Sequence, residues 1–540
     1  MLFALSVLRS YAAGHHRTMY DNPIYRWRES LAIALSRMQP EPLHGYLAYR
    51  SIHNYLTQHG LGLMKGEVDP LPNPSQLKSL VFDGARMNQL MRDASQVAVD
   101  PSLPPVRLEG NELGLADFYY WAFELFGIRV GSLAALYYAI LLVSVLMFFL
   151  TFHRSPFAIL LLMLYLAVHF YMVGFAKIGD LVAVHNSRFF PILSFLPAMH
   201  LLLLLLRRER PRPVIVAMAA GQCFILMFLV FCRTQAAWQV VAILACTAVI
   251  VRYGALWQAV RRPRMLPAAA TVLLGEAWPA LVVAAGLVVL TLYMASAPDR
   301  RYYQPGSNAH VFWHSLYDAM ISATPALAPY RYGDSEDYGD NISYSGVLHD
   351  LRARNDASRD IVSVVDGVLT IDPMKNMAEY DQLVRRVFFS VLAEHPWQVL
   401  RSFLLDKPRA QFSMIRQLTP FFEPTSYVAI VGLALGSIVL ALTAGAAPPR
   451  RDQVLRALPV VLILVACSST TFLVVPNVFI VDTVAFYMML ALITALFVPS
   501  AFLWRWAAAR IAARAPTATD ASYPGAASHG IAPNSPTVAL

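Results

Sequence analysis

Few residues in this chain combine the types and spacing that chemistry requires. His310 and His314 stand four apart, with Asp318 one turn further, so a helix would place all three on one face. Two histidines at that spacing can ligate zinc when a third ligand is supplied. Val311 stands where the His-Glu-x-x-His signature needs its glutamate, and the plainer reading is hydrogen-bonded histidines among aromatic residues. Asp334, Glu336, Asp337 and Asp340 could hold a hard cation through oxygen ligands, but they lack EF-hand spacing and also read as a solvated turn. A divalent metal is the cofactor these two groups would take.

The remaining candidates are single charges near apolar runs. Asp21 precedes Pro23 and a helical stretch, a pattern that suits an N-cap. Asp117 lies on a helix just ahead of an apolar run and reads first as a solvated or capping carboxylate. Arg188 follows Lys177, Asp180 and His185 at the end of another run. A guanidinium there can grip a phosphate as a two-pronged fork. Its alternative is snorkelling to the membrane interface. Lys407 and Arg409 form a similar pair with the same alternative. His169 and His200 lie within apolar runs and are expected to hydrogen-bond between helices. Asp482 sits near the outer end of the last run, within reach of water.

These residues must be positioned by elements in a membrane. The chain has 540 residues, 57% of them hydrophobic and 14% charged. A soluble domain is nearer a quarter charged. Crossing about 30 Å of hydrocarbon takes about 20 apolar residues. Such runs occur at 132–152, 156–176, 189–206, 213–232, 235–251, 276–296, 427–447, 457–475 and 478–503, which makes about nine crossings. The expected class is an all-α polytopic membrane protein with two largely helical water-facing regions. Cys223, Cys232, Cys246 and Cys467 all lie in apolar runs, which excludes a disulfide scaffold.

The net charge of +9 invites a nucleic-acid reading, but the arginines mark topology instead. They collect at Arg154, Arg207 to Arg212, Arg252 to Arg264, Arg450 to Arg456 and Arg505 to Arg514, on every second connection. The positive-inside bias therefore puts these loops and the C-terminus in the cytoplasm. Regions 14–131 and 297–426 then share the opposite, periplasmic side. The first six crossings fall within 132–296, three more within 427–503, and 504–540 is a basic, then disordered, cytoplasmic tail. Residues 1–13 are apolar but too short to cross. They read as the remnant of a tenth, N-terminal span that is truncated here, or as a signal-like segment.

Within 14–131, Pro23 to Arg37 predicts a helix. Residues 75–96 carry an amphipathic pattern that suits either a flat position on the membrane or packing in a small subdomain. Leu115 to Gly127 predicts a helix ending at glycine before the first clear span. Within 297–426, helices are expected at 376–394 and, after His395-Pro396, at 397–417.

The layout resembles the C-type glycosyltransferase superfamily, whose members use polyprenyl-phosphate sugars. That superfamily has a first span, a large exoplasmic loop, six spans and a second large exoplasmic loop. The segment Asp117-Phe-Tyr-Tyr-Trp-Ala-Phe-Glu-Leu-Phe-Gly127 is similar to its Tyr-rich helix before the second span. His395-Pro396 followed by Lys407 is similar to a His-Pro helix and basic residue in bacterial relatives. The likeness covers most of 14–503 and is mainly topological. Tyr20-Asp-Asn22 stands where several families carry an Asp-Glu pair.

What the resemblance implies is a bacterial inner-membrane enzyme that transfers a sugar from a polyprenyl-phosphate donor to an envelope acceptor. Asp21 or Asp117 would be the general base. Arg188, Lys407 and Arg409 would bind the lipid phosphate. Two other classes stay open. One is a non-catalytic envelope assembly protein that docks partners on its water-facing regions. The other is a transporter or flippase, against which stands the absence of repeated halves in the sequence.

Overall fold

A computed structural model describes residues 24–40, 43, 45–59, 84–103, 113–170, 190–207, 210–233, 236–261, 277–296, 312–332, 340–356, 359–365, 368–371, 376–407 and 409, with Ile463 and Cys467 as single positions. These residues are mostly helical and collect around two hydrophobic cores.

The first core starts with four helices from the hydrophilic N-terminal region: α1 (Ile24–Arg37), α2 (Tyr46–Gln58), α3 (Gly84–Ser95) and α4 (Leu113–Phe126). Six apolar helices follow: α5 (Val130–Phe152), α6 (Pro156–Phe170), α7 (Phe190–Arg207), α8 (Pro213–Cys232), α9 (Ala237–Arg261) and α10 (Trp278–Ala295). They coincide with the first six apolar runs. Three of them, α5, α8 and α10, are long and apolar enough to cross a membrane. Their 23, 20 and 18 residues rise about 34, 30 and 27 Å, close to the hydrocarbon thickness. The run expected at 235–251 belongs to a 25-residue helix, α9. The three runs from 427 to 503 lie outside the described residues, apart from Ile463 and Cys467, which pack on the first core.

The amphipathic segment resolves in favour of packing. On α3, Met87, Leu90, Met91 and Ala94 are buried in the first core, while Arg92 and Asp93 face outward. The part before Gly84 lies outside the described residues. Helix α4 ends where expected, at Gly127, whose φ of 84° no side chain adopts cheaply. At its other end, Gly114 lies so close to Phe231 and Cys232 that a Cβ would meet their backbone. The Cys232 thiol donates to the Gly114 carbonyl across 3.1 Å. A glycine is therefore what lets α4 touch the end of α8.

Polar side chains tie the apolar helices together. Ser144 on α5 donates to Gln222 Oε1 on α8 at 2.7 Å, and Gln222 Nε2 returns a bond to the Ser144 carbonyl at 2.7 Å. The same amide lies 3.3 Å from His200 Nδ1 on α7. His169 sits between Tyr165, at 3.1 Å from Nδ1, and Tyr137, at 3.4 Å from Nε2. The Tyr165 hydroxyl donates to the Ile192 carbonyl. Nδ1 must then carry the proton, leaving Nε2 to accept from Tyr137. Both histidines thus bond between helices, in surroundings where an unpaired polar group is costly.

The second core lies in the region after α10. It contains α11 (Phe312–Ala323), a 3-10 turn (Pro325–Arg331), α12 (Asp340–Ala353), a hairpin of β1 (Val362–Val365) and β2 (Val368–Ile371), α13 (Met377–Glu394) and α14 (Pro396–Arg401), which continues as a π turn (Ser402–Asp406). Asn376 caps α13 by accepting from the Glu379 N–H at 3.2 Å, while its amide donates to the Glu379 carboxylate. Pro396 starts α14 with a residue that needs no N–H partner there. The hairpin was not foreseen. Its antiparallel register pairs Val365 with Val368, leaving Asp366-Gly367 to connect the strands, and that dipeptide between apolar runs was the available signal. The helix expected over 397–417 changes to π geometry at Ser402, and residues 410–417 lie outside the described residues.

Candidate functional site

Asp117 is not the solvated carboxylate its sequence context suggests. It is 4% exposed. Arg37, in the last turn of α1, forms an ion pair with its Oδ1. Tyr293, near the end of α10, donates its hydroxyl to Oδ2 at 3.0 Å. One carboxylate therefore joins the ends of three helices that are far apart in sequence. The arginine charge offsets what it costs to bury the carboxylate. Both of its oxygens are therefore engaged by protein groups.

The histidine pair yields a second cluster. His314 and Asp318, both on α11, are both buried. His314 Nε2 lies 3.2 Å from Asp318 Oδ2, as their spacing predicts. His314 Nδ1 lies 2.6 Å from the Tyr380 hydroxyl on α13. The Ser343 hydroxyl on α12 reaches Asp318 Oδ1 at 2.5 Å and the His314 carbonyl at 3.1 Å. Both ring nitrogens of His314 thus face protein partners. The cluster holds α11, α12 and α13 together. His310 lies outside the described residues, as do Asp334, Glu336 and Asp337. Among the described residues, no group of three or more His, Cys, Asp and Glu side chains could hold a metal ion.

Lys407 follows the π turn and is fully buried. Its ammonium lies 5.8 Å from the centre of the Phe403 ring. Burial pushes its pKa well below the usual lysine range. Arg409, two residues on, is exposed. The pair named from the sequence therefore divides into one cation inside and one outside. Asp21 and Arg188 lie outside the described residues. Asp117 and Lys407 are on elements of different cores, so the structure does not bring these two candidates together.

An aromatic group on the second core completes the inventory. Tyr330 donates to Glu394 at 2.8 Å and packs edge-on against His395. Desolvation, then the Glu394 carboxylate, pushes its pKa up to about 12. Tyr332 adopts φ 51° and stacks on His349 at 3.9 Å between ring centres. Sequence reading missed Arg37, Tyr293, Ser343 and Tyr380. No local pattern marks them, because each acts on a partner at least 25 residues away. Comparison with protein-family models, curated proteins and solved structures finds no match for this chain.

Proposed function

We propose that this chain is an integral-membrane glycosyltransferase of the bacterial inner membrane, moving a sugar from a polyprenyl-phosphate carrier to an envelope acceptor on the periplasmic face. The proposed topology has nine crossings, a cytoplasmic C-terminus and both hydrophilic regions outside. The single observation carrying the reading is Lys407. It stands with Arg409, which is exposed, on the stretch by which the second core leads on toward the last apolar runs, where a phosphate arriving on a lipid would be met. Arg409 and Arg188 would add charge at the rim.

In the reaction, the acceptor hydroxyl gives its proton to a carboxylate and its oxygen bonds to the anomeric carbon. The bond from that carbon to the phosphate oxygen breaks, and polyprenyl phosphate leaves with the electron pair. With Asp117 engaged by Arg37 and Tyr293, the base role falls to Asp21, and Asp117 becomes a positioning residue. Proteoliposomes given a panel of polyprenyl-phosphate-linked hexoses and pentoses should release free polyprenyl phosphate. Asp21→Asn should slow that release by about 10²–10⁴-fold. No release from any donor by the unaltered protein would remove the enzyme reading.

A second reading, a non-catalytic envelope assembly protein, is favoured by one specific observation. Asp117, Asp318 and His314 are all committed to partners within the protein. On that reading the two hydrophilic regions are docking surfaces and Asp21→Asn changes nothing.

A further inference from the structure

We propose that α14 and its π turn form an interfacial foot that seats the second core on the lipid bilayer. The helix is inside out by the standard of a water-facing helix, which buries its apolar side. Trp397, Leu400, Leu404 and Leu405 are 77%, 46%, 62% and 49% exposed. The side facing the core carries Val399 but also Ser402 and Lys407, both fully buried. The Ser402 hydroxyl is spent on the Met320 carbonyl at 2.9 Å. Positions 397, 400 and 404 recur at three and four residues, so their side chains form one continuous edge.

Three observations name the occupant as lipid. First, the next apolar run long enough to cross the membrane begins at Tyr427, so the chain leads from this edge to the bilayer. Second, the outward edge starts with a tryptophan, the side chain that settles at the boundary between headgroups and hydrocarbon. Third, exposed cations flank the edge. Arg401, 61% exposed and paired with Asp406 at 3.3 Å, and the exposed Arg409 would face anionic headgroups. The same signature occurs on α4, where Trp121 and Leu125, 50% and 61% exposed, stand four apart just before α5 enters its apolar run. This inference does not depend on the sugar-transfer reading.

The test uses the full chain, with its four native cysteines replaced by alanine, in nanodiscs containing phosphatidylglycerol. Spin labels are placed on Leu400→Cys and Leu404→Cys, with Leu146→Cys, 50% exposed on α5, as the lipid reference and Arg354→Cys as the water reference. Labels at 400 and 404 should collide with oxygen in preference to a soluble nickel chelate. Their oxygen-to-nickel ratio should be several-fold above that at 354 and approach that at 146. A ratio like that at 354 would mean the edge faces water, and exclusion of both reagents would mean that protein covers it; either overturns the proposal. If the cysteine-free chain does not fold, brominated phosphatidylglycerol should quench the parent protein more than Trp397→Phe. Equal fractional quenching would overturn the proposal.

Discussion

Arg37 and Asp117 are separated by 80 positions and meet as a buried pair, which makes each depend on the other. Removing one partner takes the ion pair from the other in a site that water barely reaches. Arg37→Met and Asp117→Leu should each lower stability by about 3–5 kcal/mol, measured by denaturant unfolding in detergent, and the double variant should recover most of the loss. Additive losses would mean that the two groups do not interact. Lys407 is buried as well. Its folded pKa is depressed, so the folded state binds its proton less well than the unfolded chain does. The stability this group withholds is restored as pH rises toward the unfolded lysine value and is lost as pH falls through the folded one. Lys407→Met should therefore raise the melting temperature near neutrality and flatten its rise on the alkaline side. If Lys407 holds the lipid phosphate, the same variant loses sugar transfer, so stability and activity move in opposite directions.

Among the elements, the contact between α4 and α8 depends on a missing side chain. Gly114→Ala would push a methyl group into the backbone of Phe231 and Cys232. Backbone cannot rotate aside as a side chain can, so the helices must separate. The expected cost is about 1–3 kcal/mol, with weaker protection of the α8 end in hydrogen exchange. Unchanged protection would show that the contact is looser than the structure places it. Most helices were legible in the sequence at this scale, because apolar runs and the breaks at Pro23, Gly127 and Pro396 are local signals. The hairpin was less so, since two four-residue strands offer little periodicity. The fate of α3 was not legible at all. An amphipathic helix carries the same pattern whether protein or lipid meets its apolar side, and only the placement of α1 and α2 against Met87, Leu90 and Met91 decides between them.

At the scale of the whole molecule, the arrangement rests on charge. If basic loops stay in the cytoplasm, the second core lies outside and the connection between α7 and α8 lies inside. Asp360→Cys, in an exposed turn of the second core, should react with a membrane-impermeant maleimide in intact spheroplasts. Arg210→Cys, exposed between α7 and α8, should react only after the membrane is opened. The reverse pattern would invert the topology and leave the proposed sugar transfer without its compartment.

The amino-acid sequence by itself determined the helical class and the six apolar helices from 130 to 295, three of them long and apolar enough to cross a membrane, because hydrophobic length and helical period are properties of contiguous residues. It also named Asp117, His314, Asp318 and Lys407 as residues of interest. Only the tertiary structure decided what they do locally: Asp117 clasps three helices, His314 and Asp318 bond across a small core, and Lys407 is buried while Arg409 is not. The physical reason is that a charged group's role follows from its partner and its access to water. Both are set by residues such as Arg37, Tyr293 and Tyr380, which no local pattern connects to it.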